Sequence, residues 1–108
     1  MKKVLPIRIP VYINAKLVSD SKNFDGIIGN LSQTGAFVET LPTRTVNSFT
    51  PRKKLELHFQ TTAKKTLILN CEVVWLYTKR NTNDNFANSM GLEIIDPPAA
   101  YKNFFKTL

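Results

Sequence analysis

Apolar and polar residues alternate along most of this chain. Ile7, Ile9, Val11 and Ile13 are interleaved with Arg8, Pro10, Tyr12 and Asn14, the period of two shown by a strand with one buried and one wet face. Pro10 has no N–H to give to a ladder, which predicts an edge or a bulge there. The apolar stretch at residues 24–28 leads through Gly29 to Gly35, and residues 36–40 read as a second short strand. Residues 41–52 carry Pro42, Pro51, Asn47 and several Ser and Thr, and read as a loop. Leu55, Leu57 and Phe59 then alternate with Glu56, His58 and Gln60. A turn at residues 61–65 returns the chain into a long strand over about residues 66–77. Leu67, Leu69, Cys71, Val73 and Trp75 are expected on one face of it, with a mixed set opposite.

Residues 79–85 are polar and read as a hairpin connection, and residues 90–95 as the closing strand. Asp96, Pro97 and Pro98 have the form of a helix start, a capping carboxylate with proline in the first turn. The expected helix runs over residues 98–108, with Ala100, Phe104 and Leu108 on one stripe and Tyr101 and Phe105 beside it. About six short strands separated by turns, then one helix, predict an all-β fold: a small six-stranded antiparallel barrel with a C-terminal α-helix. At 108 residues the expectation is one domain over 1–108, with residues 1–6 as a basic N-terminal arm.

Composition narrows the function classes. No apolar run approaches the roughly 20 residues of a membrane-spanning helix, so no membrane insertion is expected. Pro6, Arg8 and Pro10 interrupt any apolar core of an export signal, and the cytoplasm is the expected compartment. The single cysteine, Cys71, has no intramolecular disulfide partner. With one histidine, His58, it makes no zinc set within one chain. Cys71 sits in an apolar stretch and reads as a small buried hydrophobe. His58 alternates with Leu57 and Phe59 and reads as a surface residue with no ring of acids around it in sequence. There is no glycine-rich phosphate loop and no nucleophile elbow at Ser32. The sequence points away from an enzyme and calls for no cofactor. Fifteen Lys and Arg against eight Asp and Glu leave a net charge of +7, which favours an anionic partner. The basic pairs at 52–54, 64–65 and 79–80 fall at strand ends and turns, where charge serves solubility.

The turn that leads into the strand at residues 36–40 concentrates binding groups: Asn30, Leu31, Ser32, Gln33, Thr34 and Gly35. Asn30 offers an amide and Ser32 a hydroxyl, each able to donate and accept, and Gly35 lets another group approach the backbone. The same residue types are ordinary in structural turns. As a pattern, Asn30-x-Ser32-x-x-Gly35-x-Phe37-Val38 resembles the (Asp/Asn)-x-Ser-x-x-Gly signature of PilZ domains, bacterial receptors for cyclic di-GMP. Further resemblances follow in order: Arg8, Ile9, Pro10 and Val11 as the first strand; Glu72, Val73, Val74 and Trp75 as a late strand ending in Trp; Gly91 to Asp96 as the closing strand. Together they span essentially the whole chain.

The resemblance implies a six-stranded barrel with cyclic di-GMP at one mouth, held by an N-terminal Arg-x-x-x-Arg motif on one side and the Asn30–Gly35 turn on the other. Guanidinium suits this task because it is planar and forked. Arg8 stands at the second arginine position and Val4 at the first, with Lys3 beside it as a cation without the guanidinium plane. The implied ligand-binding residues are therefore Lys3, Arg8, Asn30, Ser32 and Gly35. The implied role is regulation of motility or biofilm formation through an effector protein, by a monomer or weak homodimer. The alternative is a PilZ-like adaptor that docks pilus or motility proteins without nucleotide, through the 41–51 loop or the C-terminal helix. Nucleic acid is not expected as a partner, because Phe37, Phe59 and Trp75 read as core.

Overall fold

The computed structural model describes residues 7–43, 49–80, 83 and 85–108. Lys3 and Val4, the N-terminal arm to which they belong, and the middle of the 41–52 loop lie outside the described residues. Among the described residues, six strands and one helix follow in order: β1 Ile9–Ser19, β2 Lys22–Leu31, β3 Gly35–Thr40, β4 Lys54–Gln60, β5 Thr66–Arg80, β6 Phe86–Ile94 and α1 Ala99–Phe105. The strands close into an antiparallel barrel in the order β1-β2-β3-β6-β5-β4, with β4 pairing back onto β1. Closure leaves few free sheet edges, which is how a small all-β domain avoids edge-to-edge aggregation.

The alternation read from the sequence places the core. Leu17, Ile28, Leu31, Val38, Leu57, Leu69, Val73 and Met90 all point inward with no exposed surface. The β1–β2 hairpin turns on Asp20 and Ser21, at φ 51° and 64°, between the paired residues Ser19 and Lys22. Two consecutive left-handed residues form the turn whose twist matches that of paired strands. The bulge expected near Pro10 is present, as a register shift between Pro10 and Ile13. β5 and β6 are longer than the sequence suggested, because pairing continues from Leu76 opposite Met90 to Arg80 opposite Phe86. Part of the 41–52 loop also joins the core: Phe49 is buried and meets Phe24 edge-on at 5.0 Å.

Three expectations need correction. Trp75 does not share the inward face of Leu67, Leu69, Cys71 and Val73, because β5 shifts register between Val73 and Trp75. That bulge inserts one residue, Val74, and turns Trp75 outward. Nor does Asp96 cap the helix: it sits at φ 47°, while Pro98 is the N-cap residue and offers no side-chain bond. The docking face of α1 also differs from the expected stripe. Tyr101 is fully buried, Phe104 and Phe105 are half-buried, and Ala100 and Leu108 are exposed. Phe104 packs against Phe59 of β4, with ring centroids 5.6 Å apart.

Cys71 lies on β5 with no exposed surface, and burial pushes its thiol from 9.0 up to about 12. A neutral, enclosed thiol is inert because the thiolate is the nucleophile. Native protein at pH 8 is therefore expected to resist a thiol-specific disulfide reagent and to react fully once unfolded in denaturant. Linkage adds a second outcome. Below about pH 9 the thiol is protonated in both states and leaves stability unchanged. From there towards pH 12 the unfolded chain loses a proton that the folded chain keeps, so the thiol's contribution makes stability fall. A Cys71→Ala variant should show a shallower alkaline loss in chemical denaturation.

Candidate functional site

The site begins with a second bulge. β2 shifts register between Ile28 and Asn30, so Ile28 and Leu31 both point inward although three positions separate them. Strict alternation would put one of the two in solvent. The bulge leaves Asn30 on the outer surface, opposite Pro10 of β1 on one side and Phe37 of β3 on the other. Arg8, immediately before β1, reaches across and donates from Nη1 to Asn30 Oδ1 at 3.0 Å. This bond uses one of five guanidinium N–H groups. Among the described residues Arg8 makes no ion pair, so its charge is not neutralised by a carboxylate.

Beyond Asn30 the chain reverses tightly. The Ser32 N–H donates to Gly35 O at 2.8 Å, and the Thr34 N–H donates to Ser32 Oγ at 3.3 Å. Ser32 is 1% exposed, so its hydroxyl is a frame of the turn more than a free contact. Thr34 O accepts the N–H of Ile94 at the end of β6, at 2.8 Å. Gly35 is where a close approach decides the residue. A Cβ there would lie 3.1 Å from Leu92 O, 3.3 Å from Ser32 Oγ and 3.9 Å from Arg8 Nη2. Arg8, Asn30, Ser32 and Gly35 therefore converge, although 27 positions separate the first from the last.

The strand registers continue this row around the barrel: Pro10, Asn30, Phe37, Gly91 and Trp75 lie opposite one another on β1, β2, β3, β6 and β5. Phe37 and Trp75 stack on the outer wall with centroids 5.7 Å apart and planes 27° apart. Each ring lies over a glycine: a Cβ on Gly29 would meet the Phe37 ring at 2.9 Å, and the indole fills the space above Gly91. Trp75 remains 45% exposed, and Tyr77, two residues on, is 63% exposed. Reading Phe37 and Trp75 as core was thus wrong. For Trp75 it missed the bulge at Val74, for which Gly91 opposite an aromatic residue was the available signal; Phe37 faces outward by plain alternation with the buried Ala36 and Val38. The objection to nucleic acid built on those two side chains falls with it, whereas Phe59 is buried as expected. Intrinsic fluorescence checks this placement. Trp75, the sole tryptophan, is expected to emit at long wavelength and to be quenched by acrylamide in native protein; a blue-shifted, protected indole would put it in the core.

The remaining surface offers less. A depression of about 730 Å³ lies at the seam between β1 and β4, lined by Tyr12, Lys16, His58, Phe59 and Thr66 among others, and by none of the four converging residues. His58 faces outward there and pairs with Glu56 at 2.9 Å. Among the described residues no cluster of His, Cys, Asp and Glu is placed to hold a metal ion. No described helix is long and apolar enough to cross a membrane.

Comparison with known proteins resolves the family. The PilZ domain model matches residues 6–108. The chain belongs to the PilZ domain family. PilZ domains are a family of cyclic di-GMP receptors and are typically non-catalytic. No curated protein sequence matches this chain. Among solved structures it is similar to the Bacillus subtilis inhibitor of motility MotI/DgrA, with a TM-score of 0.71 at 13% identity over 99% of this chain. It is also similar to the PilZ domain with c-di-GMP of YcgR from Escherichia coli, with a TM-score of 0.73 at 6% identity over 98% of this chain. This PilZ domain spans 50% of the MotI/DgrA chain and 88% of the YcgR one. At such identities the likeness is one of fold. It agrees with the six-stranded closed barrel and C-terminal helix expected from the sequence.

Proposed function

We propose that this PilZ domain is a bacterial cytoplasmic receptor for cyclic di-GMP that acts through a partner protein. The observation that carries the reading is the convergence of Arg8, Asn30, Ser32 and Gly35. A guanidinium with most of its donors free stands beside an amide, next to a tight turn in which the buried Gly35 lets Leu92 O and Ser32 Oγ approach closely. Phosphate oxygens meet the forked N–H groups of Arg8, a guanine face lies on the guanidinium plane, and the Asn30 amide has an unused N–H₂ for a base edge. The Phe37–Trp75 stack adds an aromatic surface next to Asn30. Lys3 supplies a second cation from the N-terminal arm. The net charge of +7 draws a dianionic ligand towards the domain.

An adaptor that binds no nucleotide is the second reading. Val4 in the first arginine position supports it, as do the exposed Val74, Trp75 and Tyr77 on the outside of β5. A link to motility is suggested by the name of the Bacillus subtilis protein of similar fold. Isothermal titration of cyclic di-GMP into the protein at physiological salt separates the two. Saturable binding at about micromolar affinity or tighter is the expected result. No heat up to about millimolar ligand would sink the receptor reading and leave the adaptor.

A further inference from the structure

The C-terminal helix places one fully buried side chain against the barrel. Tyr101 is 0% exposed, and a buried phenol needs an acceptor for its O–H. Its hydroxyl donates to the main-chain oxygen of Ser32 at 2.6 Å, across 69 positions of sequence. That carbonyl belongs to the turn whose other side faces Arg8. We infer that Tyr101 is a positioning residue for the Arg8, Asn30, Ser32 and Gly35 site, acting through the Ser32 carbonyl; its role in ligand binding rests on reading that site as the nucleotide site.

The argument follows the polar groups of Ser32. Its N–H is committed to Gly35 O, its hydroxyl to the Thr34 N–H, and its carbonyl to Tyr101. Thr34 O is tied in turn to β6 through Ile94. The backbone that carries Gly35 under Arg8 is thus held at three points: within the turn, by the end of β6 and by α1. Removing only the Tyr101 hydroxyl leaves a buried carbonyl without a donor, and a buried main-chain acceptor seeks another partner. The motion available is rotation of the peptide after Ser32 towards solvent. It would disturb the Ser32–Thr34 contact and shift Gly35 relative to the guanidinium. The ring alone would still pack, since its contact with Phe105 at a centroid distance of 6.2 Å needs no hydroxyl.

Tyr101→Phe removes the oxygen and keeps the ring. Phe104→Leu loosens the same helix from Phe59 and keeps the hydroxyl, so it reports the effect of helix docking alone. Cyclic di-GMP affinity of Tyr101→Phe is expected to fall about tenfold, the size of one hydrogen bond, with Phe104→Leu within about twofold of the parent. Equal affinity for the parent and Tyr101→Phe, or equal losses in both variants, overturns the inference and leaves the nucleotide reading standing. Amide hydrogen exchange without ligand gives an independent readout. Faster exchange at Ser32 and Thr34 in Tyr101→Phe but not in Phe104→Leu supports the hold on the turn, and unchanged exchange overturns it. If the parent binds no cyclic di-GMP, the nucleotide reading and the ligand-positioning role both fall, and exchange alone decides whether Tyr101 holds the turn.

Discussion

Replacing Arg8 with alanine is expected to lower the affinity for cyclic di-GMP by about 10- to 100-fold, the worth of one charged hydrogen-bonding group. The melting temperature should stay close to that of the parent. Arg8 is exposed and precedes the first strand, and its one described side-chain bond is to Asn30. Exposed substitutions of this kind usually change stability by less than about 0.5 kcal/mol. Affinity and stability should therefore separate cleanly at this position, which they would not at a core residue. Arg8→Lys sharpens the test, because it keeps the charge and removes the planar fork. If the guanidinium both stacks and grips phosphate, lysine recovers only a small part of the lost affinity. Full recovery with lysine would mean that charge alone matters and that no base lies on Arg8. Unchanged binding by Arg8→Ala would falsify the assignment of Arg8 to the ligand.

The fold was legible because most of the barrel obeys one rule. Inward positions of β1, β4 and the first half of β5 are apolar at every second residue, from Ala15 and Leu17 through Leu55, Leu57 and Phe59 to Leu67, Leu69, Cys71 and Val73. Register errors arose where the rule is interrupted. A bulge changes which face a residue occupies without changing composition, so Trp75 kept the look of a core residue while standing outside, whereas Phe37 stands outside by plain alternation with the buried Ala36 and Val38. The candidate site was legible for a related reason. The Asn30–Gly35 turn is local in sequence, and so is its hydrogen-bond frame. What completes it comes from far along the chain: Arg8 from 22 residues before Asn30, and Tyr101 from 69 residues after Ser32. No local pattern announces that a tyrosine in a C-terminal helix will find that particular carbonyl. The helix start misled in a similar way, since an aspartate before two prolines suits a cap and suits a left-handed turn equally well. At Asp96 the turn prevails.

The largest effect on stability is expected at Leu57. The barrel closes where β1 meets β4, and that pairing runs only from Ala15 opposite Phe59 to Val18 opposite Glu56. Leu17 lies opposite Leu57 at this seam, and Leu57 lies opposite Leu69 on its other side. All three are completely buried, so the middle leucine packs against both neighbours and fastens the shortest junction of the sheet. Leu57→Ala removes buried methyl groups and leaves a cavity that closed strands fill poorly, at a cost of about 3–4 kcal/mol. For a domain of this size that lowers Tm by more than about 10 °C. Leu57→Met, which nearly conserves volume, should cost less than about 1.5 kcal/mol. Thermal unfolding by circular dichroism measures both. Because β1 lies directly after Arg8, native-state hydrogen exchange in Leu57→Ala should also show β1 and β4 opening before β3 and β6. Uniform loosening of all six strands would instead mean that the seam is no weaker than the rest of the barrel.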